Sequence, residues 1–356
     1  MLIVSLTNFL AVLFAYQARN KKDEVFLKFS FIIIFLFLAL RYNYGNDYVN
    51  YLEGFYEIND SGVSFFSNEH HFEPGWFLLC RLFEPLGFFA MVAVLAAFNC
   101  FVYYRFIHRY VPQNYYWLAV FLYVFNPQIM LVHSSAMRQS LAIAIFLFAF
   151  DYLSRKDIIK YFACISIAVC FHTTAVVLLP FFIFGLYNLK IKKRTSICIF
   201  SLFIFLFVFS KSIEQNIGLI INIFFEKYSV YNESSELGTG FGLIFNAVLL
   251  LIILHSARPW DYIKSKLAMI AIIGYLFLPL GLVIMMLARV GMYFQPFTLA
   301  VFPIILSKSK SSLFRTSLIV SLIAMTMYLY TSFFKSEVWI DAFATYTTIF
   351  SSTQFY

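Results

Sequence analysis

The chain is a succession of long apolar runs divided by short polar breaks, and little else can be made of such a pattern than a bundle of membrane helices. A helix of roughly 20 apolar residues crosses about 30 Å of hydrocarbon with its backbone hydrogen bonds satisfied internally. Twelve spans are expected, near 2–18, 25–41, 85–107, 115–132, 137–153, 157–172, 173–188, 195–210, 240–256, 266–286, 290–306 and 313–333. The fold class is therefore all-α, a polytopic bundle of about 12 transmembrane helices in one integral membrane domain over 1–356. Composition agrees: 62% of residues are hydrophobic and only 12% charged, about half the charged share of a soluble domain.

The breaks alternate in charge. Those holding Arg19 to Lys28, Arg105 and Arg109, Arg155 to Lys160, Lys190 to Arg194, Arg258 to Lys266, and Lys308 to Arg315 contain 19 of the 26 basic residues and five of the 18 acids. The opposite face keeps 7 basic and 13 acidic residues. Basic residues collect on the cytoplasmic face, so the net +8 charge reports topology and gives no support for nucleic-acid binding. No basic residue precedes the first apolar run and a basic cluster follows it, which is expected of a first span with its N-terminus outside rather than of a cleaved signal.

Two pairs of short runs, 115–153 and 157–188, have tips at His133-Ser134-Ser135 and His172-Thr173-Thr174. Short helices with polar tips below the membrane surface predict a cavity open to the extracytoplasmic side. Ordinary short spans in a thinned bilayer are the alternative. The larger extracytoplasmic loops are 42–84 and 211–239, and the stretch Pro74 to Pro85 is expected to hold a short amphipathic or re-entrant helix with Arg81 and Glu84.

On that wet face the polar residues cluster in five places. Arg41 leads a segment with Asp47, Tyr48 and Tyr51, in which Gly45 suits a turn needing unusual dihedrals that aims Asp47. Arg41 can snorkel to headgroups or grip phosphate bidentately, and aromatics around a carboxylate suit a sugar as well as an interfacial belt. His70-His71-Phe72-Glu73-Pro74-Gly75 offers a general base, while Glu73 before Pro74 can equally cap a helix. Arg138 and Gln139, beyond His133, open a helix where a cation has the unfavourable sign for the dipole. An anion must offset it, either a phosphate or a carboxylate such as Asp47. His172 sits at an apex, and Arg289, with Tyr293 four residues on, is the one charge in more than forty residues. Isolated membrane-level charge marks a functional site by default.

Other chemistries lack their signatures. The five cysteines are scattered without metal-ligand spacing, so no metal is expected and the thiols read as packing residues. Neither a phosphate-cradling loop nor a nucleophile elbow is present, and no cofactor is expected.

In chain order these residues resemble the EpsG-like branch of the Wzy-type bacterial polysaccharide polymerases. The matching motifs are the Arg41 segment with G-x-D-Y-x-x-Y, F-E-P-G at Phe72 to Gly75, R-Q-x-L-A from Arg138, F-H-x-x-A around His172, and the late Arg289 with Tyr293. Many other relatives have one dominant extracytoplasmic loop, which this chain lacks. The resemblance implies a glycosyltransferase of the bacterial inner membrane, with its active site facing the periplasm, that makes O-antigen, capsule or exopolysaccharide. A growing glycan would leave its undecaprenyl diphosphate for a new lipid-linked repeat unit. Partners would be these lipid-linked donors and acceptors, membrane lipid and a chain-length regulator. Asp47 or His172 would be the base, with Glu73 as a further catalytic carboxylate. Arg41, Arg138 and Arg289 would hold diphosphate, and Gln139, Tyr48, Tyr51, His71, His133 and Tyr293 would line the substrate site. An O-antigen ligase and a lipid-linked-oligosaccharide flippase are the alternatives. A flippase needs polar sites reachable from both faces, whereas these concentrate on one.

Overall fold

Apolar runs become helices here wherever proline or a turn-forming residue leaves them uninterrupted. The computed structural model describes residues 1–20, 23–60, 72–187, 190–213, 215 and 241–351. Its first helices are α1 (Leu2–Gln17), α2 (Val25–Ala39), α3 (Tyr48–Asn59), α4 (Pro74–Leu82) and α5 (Phe88–Tyr110). Then come α6 (Tyr116–Val124), α7 (Val132–Ser135), α8 (Met137–Ser154), α9 (Ile158–Phe171), a 3-10 helix (Thr173–Phe181), α10 (Phe182–Leu186) and α11 (Lys193–Val208). The remainder comprises α12 (Phe241–Ser256), α13 (Tyr262–Gly281), α14 (Met285–Met292), a 3-10 turn (Gln295–Phe297), α15 (Thr298–Lys308), α16 (Ser312–Phe333) and α17 (Glu337–Phe343). A short antiparallel bridge joins β1 (Arg41–Tyr42) to β2 (Thr347–Thr348), pairing Arg41 with Thr348 and Tyr42 with Thr347.

Among the described residues, five helical stretches are long and apolar enough to cross a membrane: Phe88–Tyr110, Met137–Ser154, Tyr262–Gly281, Met285–Lys308 and Ser312–Phe333. Leu2–Gln17, Val25–Ala39, Ile158–Phe171, Thr173–Leu186 and Gly242–Ser256 are apolar but shorter. The difference from twelve uniform spans has local causes. The run expected at 115–132 becomes the nine-residue α6, halted by Asn126 and Pro127. That at 173–188 is largely 3-10, with Pro180 inside it, where the missing N–H and ring sterics oppose an α-helix. The run expected at 290–306, by contrast, falls within the membrane-length stretch Met285–Lys308, which passes through the 3-10 turn Gln295–Phe297 with Pro296 near its start.

Apolar side chains cover both the interior and much of the outside. Leu2, Leu6 and Phe9 on α1, Phe205 and Val208 on α11, and Leu313 and Val320 on α16 are exposed, a pattern that suits lipid better than water. By contrast α8 is buried along nearly its whole length, packed between α5 and α9. Its ends are polar. At one end Asp151 accepts hydrogen bonds from Arg105 Nε at 3.1 Å, Arg109 at 2.7 Å and the Tyr110 hydroxyl, so the buried carboxylate is fully paired. Nearby, buried Lys266 donates to the Leu153 carbonyl at 3.0 Å. Arg138 and Gln139 open the other end. At 1.5 Å rise per residue the two polar ends stand about 20 Å apart, most of the thickness of a bilayer core.

Candidate active site

Glu73 is the hinge of the polar cluster at the start of α8. Pro74 occupies the first turn of α4, where its missing N–H costs nothing, and Glu73 takes the N-cap position without making a side-chain cap. Its carboxylate instead accepts a hydrogen bond from Arg138 and lies 3.6 Å from Nδ1 of His172, within ion-pair reach. The expected anion at Arg138 is thus Glu73, with Asp47 further off. Gly75 makes this possible: a Cβ there would fall 2.7 Å from the Cys170 carbonyl oxygen. Only glycine lets the start of α4 press against the end of α9, where His172 turns the chain in extended geometry.

Electrostatics and packing then specify each group. Burial raises the Glu73 carboxyl, but His172 and the Arg138 guanidinium outweigh it and hold it at about 2. The guanidinium carbon also lies 5.3 Å from the Phe72 ring centroid and 5.7 Å from that of Tyr51, within cation–π reach of both. Gly54 admits the Phe72 ring, because a Cβ would lie 2.7 Å from its Cζ. Tyr51 in turn rests on Trp76, with ring centroids 5.0 Å apart. Nε of Arg138 and both ring nitrogens of His172 are buried and have no hydrogen-bond partner among the described residues.

Asp47 arrives on a loop braced from two directions. Gly45 has φ +127°, and a Cβ on it would sit 2.7 Å from the Ser134 carbonyl oxygen. The expectation of a glycine-dependent turn holds. Gly45 N–H donates to the Ala342 carbonyl at 3.1 Å, and Asn46 N–H to the Ser135 hydroxyl at 3.0 Å. Asp47 itself reaches solvent at the rim of this crowded region. Partial desolvation raises its carboxyl above the ordinary value, while the positive charges of Arg289 and Arg138 pull it down. On the far wall Gln139 donates to the Arg289 carbonyl at 2.8 Å, and the Tyr293 hydroxyl meets Thr174 Oγ1 at 3.1 Å. Five separate stretches of chain therefore converge, bringing Asp47, Tyr51, Glu73, Arg138, Gln139, His172, Arg289 and Tyr293 together.

Three expected site residues lie apart from this group. Arg41 is buried, donates to the Leu38 carbonyl and faces the Tyr48 ring at 5.8 Å, while the Tyr48 hydroxyl returns a bond to the Arg41 carbonyl at 3.1 Å. His133 is buried with Nε2 3.4 Å from the Tyr103 hydroxyl, and burial together with Arg41 keeps its imidazole far below its ordinary value. These residues form the support under the Asp47 loop. His71 and most of the 211–239 segment lie outside the described residues. Phe72, Ser135 and Thr174, marked in the sequence only as members of a motif or a tip, also contribute contacts here, whereas nothing local marks Gly54 or the contact with Ala342, a partner almost 300 residues away.

Two cations, two carboxylates and an imidazole can grip a phosphorylated group and move one proton. Among the described residues no group of His, Cys, Asp and Glu has the arrangement of a metal site. The EpsG family model matches residues 24–348, which takes in every residue of this cluster. No curated protein and no solved structure matches the chain.

Proposed function

The chain belongs to the EpsG family, and from that premise we propose that it is a polysaccharide polymerase of the bacterial inner membrane with its site on the extracytoplasmic side. It transfers a growing glycan from undecaprenyl diphosphate to a new lipid-linked repeat unit, in a bundle whose shorter helices also take part in crossing the bilayer around a cavity open to that side. The acceptor hydroxyl oxygen attacks the anomeric carbon of the donor glycan. The bond from that carbon to the diphosphate oxygen breaks, its electron pair leaves with the diphosphate, and the hydroxyl proton passes to a base.

The observation that carries this reading is the chain Arg138–Glu73–His172. Glu73, held at about 2, is too weak a base to take the proton. It is well suited to orienting Arg138 and to stabilising His172 when that imidazole becomes charged, as a carboxylate behind a catalytic histidine does elsewhere. His172 has Glu73 beside Nδ1, while its Nε2 has no hydrogen-bond partner among the described residues, so it is favoured as the base, and Asp47 at the rim receives the acceptor sugar. Arg138 and Arg289 hold the leaving diphosphate, where charge stabilisation matters more than protonation. The charges of Asp47 and Glu73 balance those of the two arginines, so a proton gained by His172 makes the site net positive as the diphosphate departs.

Surface glycan from a deletion strain tests the assignment. A polymerase mutant shows core bearing a single repeat unit, restored to a ladder by the wild-type gene. Complete loss of attached repeat units would point to a ligase. Repeat units held at the inner face would point to a flippase. Either result would overturn the proposal.

A further inference from the structure

Behind the turn that follows Arg289, a cavity of about 520 Å³ opens among α12, α13 and α16, and none of the residues of the Glu73 cluster lines it. Among the described residues no charged side chain lines it either. Its polar groups are the carboxamides of Asn126, Gln128, Asn246 and Gln295, joined by Tyr275, Tyr328 and Thr298, with apolar residues along the rest of the described wall. Gln295 Nε2 donates to Gln128 Oε1 at 3.1 Å, while Oε1 of Gln295 is buried without a donor among the described residues.

That combination discriminates between ligands. A diphosphate needs cations, and none stands among the described residues of the lining. A polyprenyl tail needs only hydrocarbon, so four carboxamides and an unpaired acceptor in its cavity would be a net loss. A glycan matches both parts of the wall. Its hydroxyls donate to and accept from carboxamides, and its C–H faces rest on tyrosine rings and aliphatic side chains.

Position supports the match. Gly274 lines the cavity, and a Cβ there would be 3.0 Å from Cβ of Phe294, so Phe294 packs against the cavity wall just before Gln295. The preceding residue, Tyr293, contacts Thr174 on the side of the active site. Gln295 and Arg289 are six residues apart on this largely helical segment, about 9 Å at the helical rise. A short oligosaccharide can cover such a distance from a reacting end held near Arg289.

We propose that the carboxamide-lined cavity behind Phe294 binds uncharged sugars of the growing or incoming glycan. The inference rests on the polymerase reading above and extends it from the reacting bond to the chain behind it.

The test uses the full-length protein in nanodiscs and two probes. One is the soluble oligosaccharide released by mild acid from the native strain's own surface polysaccharide; the other is undecaprenyl phosphate, which carries tail and phosphate but no sugar. Gln128→Met and Gln295→Met keep side-chain volume and remove the amide. Each is expected to weaken oligosaccharide binding about tenfold, the result of leaving sugar hydroxyls unpaired, while undecaprenyl phosphate binds as to wild type. Loss of undecaprenyl phosphate binding in these variants would make the cavity a tail site and overturn the proposal. Unchanged oligosaccharide affinity in both, or none in wild type, would also overturn it. Asn246→Leu serves as the second probe of the opposite wall if either glutamine variant fails to fold. Failure of the polymerase reading itself is read separately, from whether the wild-type gene restores a glycan ladder in the deletion strain.

Discussion

Glu73 occupies an N-cap position yet makes no capping bond, because its carboxylate is engaged by Arg138 and lies beside His172. Helix-start chemistry is a local rule, and here two charges from distant parts of the chain outweigh it. The same pairing sets a pH dependence. A carboxyl depressed from 4.5 to about 2 in the folded protein contributes stability that is present above the unfolded value and lost as pH falls through the folded one. Wild-type protein in detergent should therefore lose thermal stability between about pH 5 and pH 2 more steeply than Glu73→Gln, which lacks that titration, and the two curves should converge at the acid end. Parallel melting curves across this window would show that the Glu73 charge does not matter to the fold. At Arg138, lysine should replace arginine poorly, since a point charge cannot form two parallel bonds to a phosphate while contacting the rings of Phe72 and Tyr51 as the guanidinium does. Polymer yield from Arg138→Lys should fall at least tenfold at equal protein level, and near-normal yield would remove the planar fork from the account.

Two glycines determine how the elements meet. Gly75 brings α4 onto α9, and Gly45 lets the Asp47 loop lie on Ser134. Alanine at position 75 must push apart two backbones that now touch, and overpacking of this kind costs roughly 1–3 kcal/mol. Gly75→Ala should lower both melting temperature and polymer yield, because it separates Glu73 from His172; full activity would mean that this spacing is not functional. Both glycines lie in motifs readable from the sequence, and the positive φ at Gly45 was legible there as a turn requirement. Three features were not legible. The 3-10 stretch around Pro180 lies within a continuously apolar run, and hydropathy does not register a change from α to 3-10, whereas Asn126-Pro127 is a turn signal standing inside the run expected at 115–132. The bridge of β1 to β2 and the Gly45–Ala342 bond join segments almost 300 residues apart. Arg41, expected at the diphosphate, instead contacts Leu38 and Tyr48, a distinction that depends on side-chain direction and not on residue type.

Across the whole molecule, the polar groups collect at the two ends of buried α8, with Arg105, Arg109 and Asp151 at one end and Arg138 and Glu73 at the other. The charge split between alternating breaks is a property of the sequence itself, and the orientation that it implies is what labelling tests. Cysteine labelling in intact cells should reach position 47 from outside, and positions 192 and 264 only after the membrane is opened. Labelling of position 47 solely from the cytoplasm would invert the bundle. The most direct test of the central claim is reconstitution of the purified protein in liposomes with lipid-linked repeat units, read as a gel ladder. Wild-type protein should extend the units into polymer with no nucleotide added. His172→Gln and Arg138→Ala should remain at single units while folded. A ladder from both variants equal to that of wild type would contradict the account.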